Sequence, residues 1–298
     1  LKNTYLFNSE IFLQHQITGE RHFFQQANSS DSSKIQALFH LFVQNQIGFS
    51  PFKAPFGSIE FTDDLSEAEL NSFIESITLK AIDLGLKEII ITSYPNCYEP
   101  IKSKKLTEAF VQNGFKKLWN DLNFHLPVDD LLFIHKIHPG ERWKLRQSHK
   151  AGFRASIWQN PDLNEVYNLI LESRFRKGFP LSLCKEEFMT MFERLPESYQ
   201  VFGVWSDEKL AAVAVTVSIS VHICYTFYTA DRLEFRRLSP VVMLHECMYN
   251  FCIQHQFTML DLGTASKNGL INQGVANFKR RLGGIESFKT TFTKLPGV

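Results

Sequence analysis

The spacing of apolar residues changes period several times along this chain, and each change predicts an element. Residues 5–16 are mixed and allow a short helix. Two aromatic-rich runs, 21–27 and 34–44, flank the polar tract Asn28-Ser29-Ser30-Asp31-Ser32-Ser33, which predicts a hairpin turning on that tract. Pro51 to Phe61 reads as a loop leading into a short strand. Ser66 and Glu69 form a capping box, and Leu70, Phe73, Ile74, Ile77, Ala81 and Leu84 keep helical spacing up to Gly85, where a left-handed stop is wanted. The Ile89-Ile90-Ile91 run over 87–93 predicts a buried strand of the parallel type. A helix over 103–113 stops at Gly114, and 115–126 reads as one long strand or a hairpin.

The second half begins with a strand or connector over 131–138. A basic helix over 140–150, a strand over 153–158, and helices opened by Pro161-Asp162 and by Lys185 follow. Three strands over 199–205, 210–218 and 221–229 form a tight meander. Ser239 and Pro240 read as the cap and first position of a helix whose apolar face is Val241, Leu244, His245, Met248 and Cys252. A strand over 257–262, a helix over 272–282 and a strand over 285–294 close the chain.

The order helix–strand–helix–Gly–strand therefore occurs twice. Ile89 to Ser93 aligns with Met259 to Gly263, and Gly114 with Gly284, both at an offset of 170 positions. The expectation is a duplicated α/β architecture with α+β mixed sheets, divided into residues 1–130 and 131–298, with the junction at Pro127-Val128-Asp129-Asp130. At that offset Ala109 stands where the second copy has Lys279, so the second copy is the candidate working half.

Composition narrows the function classes. A formal net charge of +1 gives no field for long-range steering of nucleic acid, so no DNA partner is expected. Five widely spaced cysteines without ligand spacing predict buried, reduced thiols, no metal and a cytoplasmic location. No apolar run reaches the roughly 20 residues that span a bilayer, so membrane insertion is not expected. The start, Leu1-Lys2-Asn3-Thr4, shows no charged stretch followed by an apolar one, so secretion is not expected.

The motifs that carry chemistry are Tyr228-Thr229-Ala230-Asp231, leading through Arg236-Arg237-Leu238-Ser239-Pro240 into a helix, then Leu260-Asp261-Leu262-Gly263, and the closing Phe278-Lys279-Arg280-Arg281-Leu282-Gly283-Gly284. Together they resemble the GNAT fold used in tandem, and most closely its FemABX-type group, whose "FK…G" signature the closing segment matches. Pro55-Phe56-Gly57 resembles a loop of the first domain of that group. The resemblance implies two tandem GNAT-like domains, the first a degenerate copy, and N-acyl transfer to a primary amine of a small-molecule, amino-sugar or peptide acceptor. It also implies an acyl donor as co-substrate, either acyl-CoA or another thioester, or an aminoacyl-tRNA as in FemABX-type transferases. A non-catalytic double-GNAT binding module is the reading from another class. The Gly-rich pyrophosphate loop of ordinary GNAT enzymes is absent, and Arg236-Arg237-Leu238-Ser239-Pro240 stands in its place.

Carried onto this sequence, the resemblance makes Lys279 and Tyr228 candidate catalytic residues. Lys279 would meet a developing oxyanion or a phosphate, and its alternative reading is a solvated lysine in a basic last turn. Arg236, Arg237, Leu238, Ser239, Gly263, Thr264 and Asn272 are candidates for the donor. Asp231, Arg176, Phe179 and Asn268 are candidates for the acceptor. His245 on an apolar helix face reads as a satisfied core histidine, and no strong general base is visible.

Overall fold

The computed structural model describes residues 5–14, 20–28, 31 and 33–297. Leu1 to Thr4, and Ser29, Ser30 and Ser32 of the expected hairpin tract, lie outside them. In chain order the elements begin with α1 (Glu10–Leu13), β1 (Glu20–Ala27), β2 (Ile35–Gln44), β3 (Ile47–Ser50), β4 (Glu60–Phe61), α2 (Glu67–Asp83) and β5 (Glu88–Thr92). Then come α3 (Pro100–Gln112), β6 (Lys116–Pro127), α4 (Phe133–Lys136), α5 (Pro139–Lys150), β7 (Arg154–Ile157), α6 (Leu163–Arg176) and α7 (Lys185–Arg194). The meander is β8 (Tyr199–Ser206), β9 (Lys209–Ser218) and β10 (Ile223–Asp231). The rest is α8 (Pro240–Gln254), β11 (Met259–Thr264), β12 (Ser266–Lys267), β13 (Leu270–Ile271), α9 (Gln273–Arg281) and β14 (Ile285–Lys294).

Contacts divide the chain into two compact units. The first comprises Leu1–Asn123, Thr264–Asn272 and Ser287–Val298; the second comprises Phe124–Gly263 and Gln273–Glu286. Within the first, strands run in the order β1-β2-β3-β5-β14-β6, with β4 on β2, and β12 and β13 form a separate hairpin. Within the second, the order is β6-β11-β10-β9-β8-β7. Each unit has a parallel pair among antiparallel neighbours: β3 with β5, and β10 with β11.

In the first unit the capping box of α2 forms as expected. Ser66 Oγ accepts from the Glu69 N–H, and the Glu69 carboxylate accepts from the Ser66 N–H. Leu70, Phe73, Ile74, Ile77 and Ala81 are buried, and Gly85 stops the helix at φ +64°. The segment 115–126 is a single strand, β6.

Several expectations are corrected. The segment 131–138 contains the helical turn α4, because Phe133 is buried against the ring of Tyr249 at 5.7 Å and draws the chain into α8. Ser239 is the N-cap residue of α8, but its side chain makes no cap hydrogen bond. Its backbone is left-handed (φ +51°, ψ +51°), whereas a capping hydroxyl needs the extended region to reach back to the helix N–H groups. The cysteines are all free, but not all buried. Cys224 and Cys252 are; Cys184, at the N-cap of α7, is exposed.

The internal repeat also shifts by one residue at its helix stop. Gly114 is left-handed at φ +79°, with Gly114 N–H donating to Val111 O and Phe115 N–H to Phe110 O. The same bracket at the end of α9 uses Gly283 at φ +82°, with Gly283 N–H donating to Arg280 O and Gly284 N–H to Lys279 O. Gly283, not Gly284, is the counterpart of Gly114. The residue matching Lys279 is therefore Phe110, fully buried in its unit, rather than Ala109.

Candidate active site

The candidate site of the second unit lies where β10 and β11 part. Their parallel register runs from Ile223↔Met259 to Tyr225↔Asp261. Two local causes end it. On β10 the register against β9 is irregular between Thr226 and Tyr228, so Phe227 is an extra residue and the strand bends. On β11 the buried carboxylate of Asp261 accepts the Gly263 N–H at 2.6 Å, and Gly263 turns into the left-handed region at φ +76°. A short acceptor bonding two residues ahead makes a turn in place of the next ladder bond, and glycine adopts that φ without a Cβ penalty.

Lys279 meets this turn. From the last turn of α9 its Nζ donates to Gly263 O at 2.8 Å. A Cβ built on Gly263 would lie 3.7 Å from Lys279 Nζ and 3.6 Å from the Tyr225 hydroxyl, so the three groups enclose one small space. Burial raises the Tyr225 phenol well above its usual range, and the charge of Asp261 adds to the rise, which keeps it a neutral donor.

Further along β10 the aromatic wall continues through Phe227 and Tyr228, whose ring centroids are 4.4 Å apart. Tyr228 is buried, its hydroxyl bonds Ser182 Oγ at 2.7 Å, and the Arg174 guanidinium sits 5.4 Å over its ring. Burial raises the Tyr228 pKa; the Ser182 bond and the Arg174 charge oppose that rise.

At the end of β10 the buried carboxylate of Asp231 collects cations. Arg176 Nη2 donates to Asp231 O at 2.9 Å and to Oδ1 at 3.2 Å. Lys177 Nζ is 3.8 Å from Oδ1, and Arg236 Nε is 4.0 Å from Oδ2. Burial lowers the pKa of Lys177, with Asp231 pulling the other way and Arg176, Arg236 and Arg174 adding to the fall. Arg176 Nε and Nη1 are buried without a hydrogen-bond acceptor among the described residues. Glu172, 3.8 Å from Arg176 Nη1, is a second carboxylate of the cluster, so three cations against two carboxylates leave one positive charge over, in a place suited to an anionic group.

The expected residues thus fall in distinct places. Lys279 and Gly263 come together at the strand divergence. Tyr228, and separately Asp231 with Arg176 and Arg236, line the far part of β10. Arg237 is exposed, and Leu238 precedes the left-handed Ser239. Phe179 is 41% exposed, just past the left-handed Gly178 that ends α6. Thr264, Asn268 and Asn272 belong to the first unit, around the β12–β13 hairpin, where Asn268 takes the turn at φ +53° and Asn272 N–H donates to Ala265 O.

Sequence reasoning missed Tyr225, Ser182 and the role of Asp261. Tyr225 was legible as an alternate position on a central strand. Ser182, in an irregular segment between α6 and α7, carried no signal. His245 is buried as expected, donating through Nδ1 to Val241 O at 2.7 Å. Among the described residues no group of three or more His, Cys, Asp or Glu could hold a metal ion, and no helix is long and apolar enough to cross a membrane.

The acetyltransferase (GNAT) domain family matches residues 145–280. The crystal structure of FemX superposes with a TM-score of 0.74 at 16% identity, covering 98% of this chain and 92% of that one. The C-terminal domain of a putative lysylphosphatidylglycerol synthetase from Agrobacterium fabrum gives 0.59 at 12% identity, covering 92% and 84%. A tandem GNAT protein from the clavulanic acid biosynthesis pathway gives 0.56 at 10%, covering 93% and 84%. No curated protein matches the chain significantly in sequence. Residues 145–280 thus match the acetyltransferase (GNAT) domain family, and the chain shares its fold along nearly its whole length with FemX and with a tandem GNAT protein.

Proposed function

We propose that the chain is an N-acyltransferase that moves an acyl group from a thioester donor, acyl-CoA or an acyl carrier, to a primary amine by direct attack. The carrying observation is the tie between Lys279 and Gly263 where β10 and β11 diverge. The amine nitrogen adds to the acyl carbon between these strands, and negative charge gathers on the former carbonyl oxygen. An ammonium already fixed beside that oxygen stabilises the charge without reorganising, an effect typically worth about 10²–10³ in rate per donor. The C–N bond forms, the C–S bond breaks, and the thiolate leaves with a proton supplied by Tyr228. The amine's own proton passes to water, and water returns a proton to Tyr228. Arg176 and Lys177 beside Asp231 hold an anionic part of the acceptor, and Arg236 and Arg237 hold charge on the donor.

A second reading replaces the thioester with an aminoacyl ester carried on tRNA. It is favoured by the Arg236–Pro240 segment standing where a Gly-rich loop would be, since Pro240 brings no N–H to a phosphate and Ser239 no cap. Thermal unfolding with acetyl-CoA, longer acyl-CoA esters and an aminoacylated acceptor-stem RNA separates the two. A ligand at a hundredfold excess over its Kd stabilises by about 2.7 kcal/mol. A rise with acyl-CoA alone supports the first reading and a rise with RNA alone the second. No rise with any donor overturns transfer in favour of a binding module.

A further inference from the structure

A cavity of about 460 Å³ opens on the second unit beside α8, lined by residues of α5, β7, β8 and α8. Its origin is geometric. Edge strand β7 pairs with β8 over only four residues, Arg154↔Trp205 to Ile157↔Phe202, whereas α8 runs for 15 residues. Part of the helix face over the sheet edge is thereby left without strand beneath it. None of the residues used above for transfer lines this space.

The floor is apolar, with Phe202 and Met243 buried and Phe251 packed edge-on to Phe202 at 5.3 Å. At one end the ring of His255 lies 4.1 Å from that of Phe251. The polar lining is two imidazoles (His149, His255), three amides (Gln159, Asn250, Gln254), one thiol and one carboxylate. Glu246 is the one carboxylate on the lining, no Lys or Arg lines it, and His149 Nε2 bonds Glu246 Oε2 at 2.9 Å. Cys247 stands beside Glu246. Burial, and secondarily the Glu246 charge, push its thiol up to about 11, so it lines the wall as a neutral group. Asn250 and Gln254 are exposed at the mouth.

We infer that this cavity is a binding site for an organic cation with an apolar body, such as a quaternary or arylalkyl ammonium. Glu246, oriented by His149, is its counter-ion, and Phe251 and Phe202 are its aromatic walls. Glu246 is the one carboxylate on the lining and no Lys or Arg stands beside it, so the site's permanent charge is negative and favours a cation over an anion. Aromatic faces attract cations, more strongly once desolvated, and a volume in the range of roughly 300–1,000 Å³ suits a small molecule. The inference does not rest on the transfer reading.

Titration calorimetry on the full chain tests it with benzyltrimethylammonium and choline, neither of which has an N–H to be acylated, and with choline's uncharged tert-butyl isostere. Both ammonium probes are expected to bind at least about tenfold more tightly than the isostere, which is 1.4 kcal/mol. Glu246→Gln should abolish that preference, Phe251→Leu should weaken both probes several-fold, and Lys279→Ala should leave binding unchanged. Circular dichroism confirms that each variant is folded; should Phe251→Leu fail to fold, Glu246→Gln alone decides. Equal binding of the isostere, no binding of either probe, or loss of binding in Lys279→Ala overturns the site.

Discussion

Lys279 Nζ lies 2.8 Å from the carbonyl oxygen of Gly263, joining the last turn of α9 to the end of β11. The bond holds a cation at the mouth of a parallel strand pair whose ladder has just ended. Lys279→Ala should lower kcat by about 10²–10³ while changing stability by no more than about 1 kcal/mol, because the hydrogen bond of a partly exposed lysine contributes little to folding. Steady-state kinetics and a urea melt on the same preparation check both. Unchanged turnover would remove Lys279 from the mechanism.

Tyr228 tests the proton step. Tyr228→Phe keeps the ring under Arg174 and deletes only the hydroxyl that bonds Ser182 Oγ. The expected result is a fall in kcat of about 10²-fold or more, in the range of general acid catalysis, with KM nearly unchanged. Donors with better leaving groups should suffer less, because they need less protonation; a uniform loss across donors would make Tyr228 a packing residue.

The surround of Asp231 separates folding from binding. Asp231→Asn removes the shared counter-charge of Arg176, Lys177 and Arg236. Breaking a buried ion pair typically costs about 3–5 kcal/mol, and partial exposure of the partners reduces the expectation to about 2 kcal/mol. Arg236 is 63% exposed at 4.0 Å from the carboxylate, so Arg236→Ala should cost less than about 0.5 kcal/mol. Its KM for a substrate bearing phosphate or carboxylate should nonetheless rise several-fold, and this rise should shrink at high salt.

His245 predicts an acid limb of stability. Burial holds its folded pKa down at about 4, its bond to Val241 opposes the fall, and the Lys279 charge adds to it. The unfolded imidazole titrates near 6.5. Between these values the unfolded chain binds the extra proton, so the stabilisation is complete above 6.5 and is lost as the pH falls towards 4, by about 3 kcal/mol. His40, lowered to about 4 chiefly by its own burial, adds a second contribution of the same sign. Chemical denaturation between pH 4 and 7 should show the slope, and His245→Gln should flatten part of it. An unchanged slope would assign the acid limb elsewhere.

What could be read from the chain alone follows from how local each cause is. The α2 capping box, the β8–β9–β10 meander and the core position of His245 depend on short-range spacing, and the sequence displays all of them. The carboxylate turn of Asp261 onto Gly263 was hidden in an apolar strand motif, because nothing in Leu260-Asp261-Leu262-Gly263 says which way the aspartate points. The gathering of Arg176 and Lys177 on Asp231 joins the end of α6 to the end of β10 across about 55 residues of chain, beyond the reach of any local pattern. Ser239 misled for the opposite reason: Ser-Pro is a strong helix-start signal, but the left-handed backbone there turns the hydroxyl away from the cap.

The helix stop at Gly114 and Gly283 has a consequence for how such a duplicated chain divides its labour. In both places the bracket is closed by backbone N–H groups and one left-handed glycine, so the side chain four residues before that glycine is released from any duty in ending the helix. One copy uses that liberty to press Phe110 into its core; the other uses it to hold Lys279 against a carbonyl. On the proposed reading of Lys279, a scaffold of this kind sets a core ring in one unit and a working cation in the other by exchanging a single side chain, with no loop to rebuild and no strand to re-register.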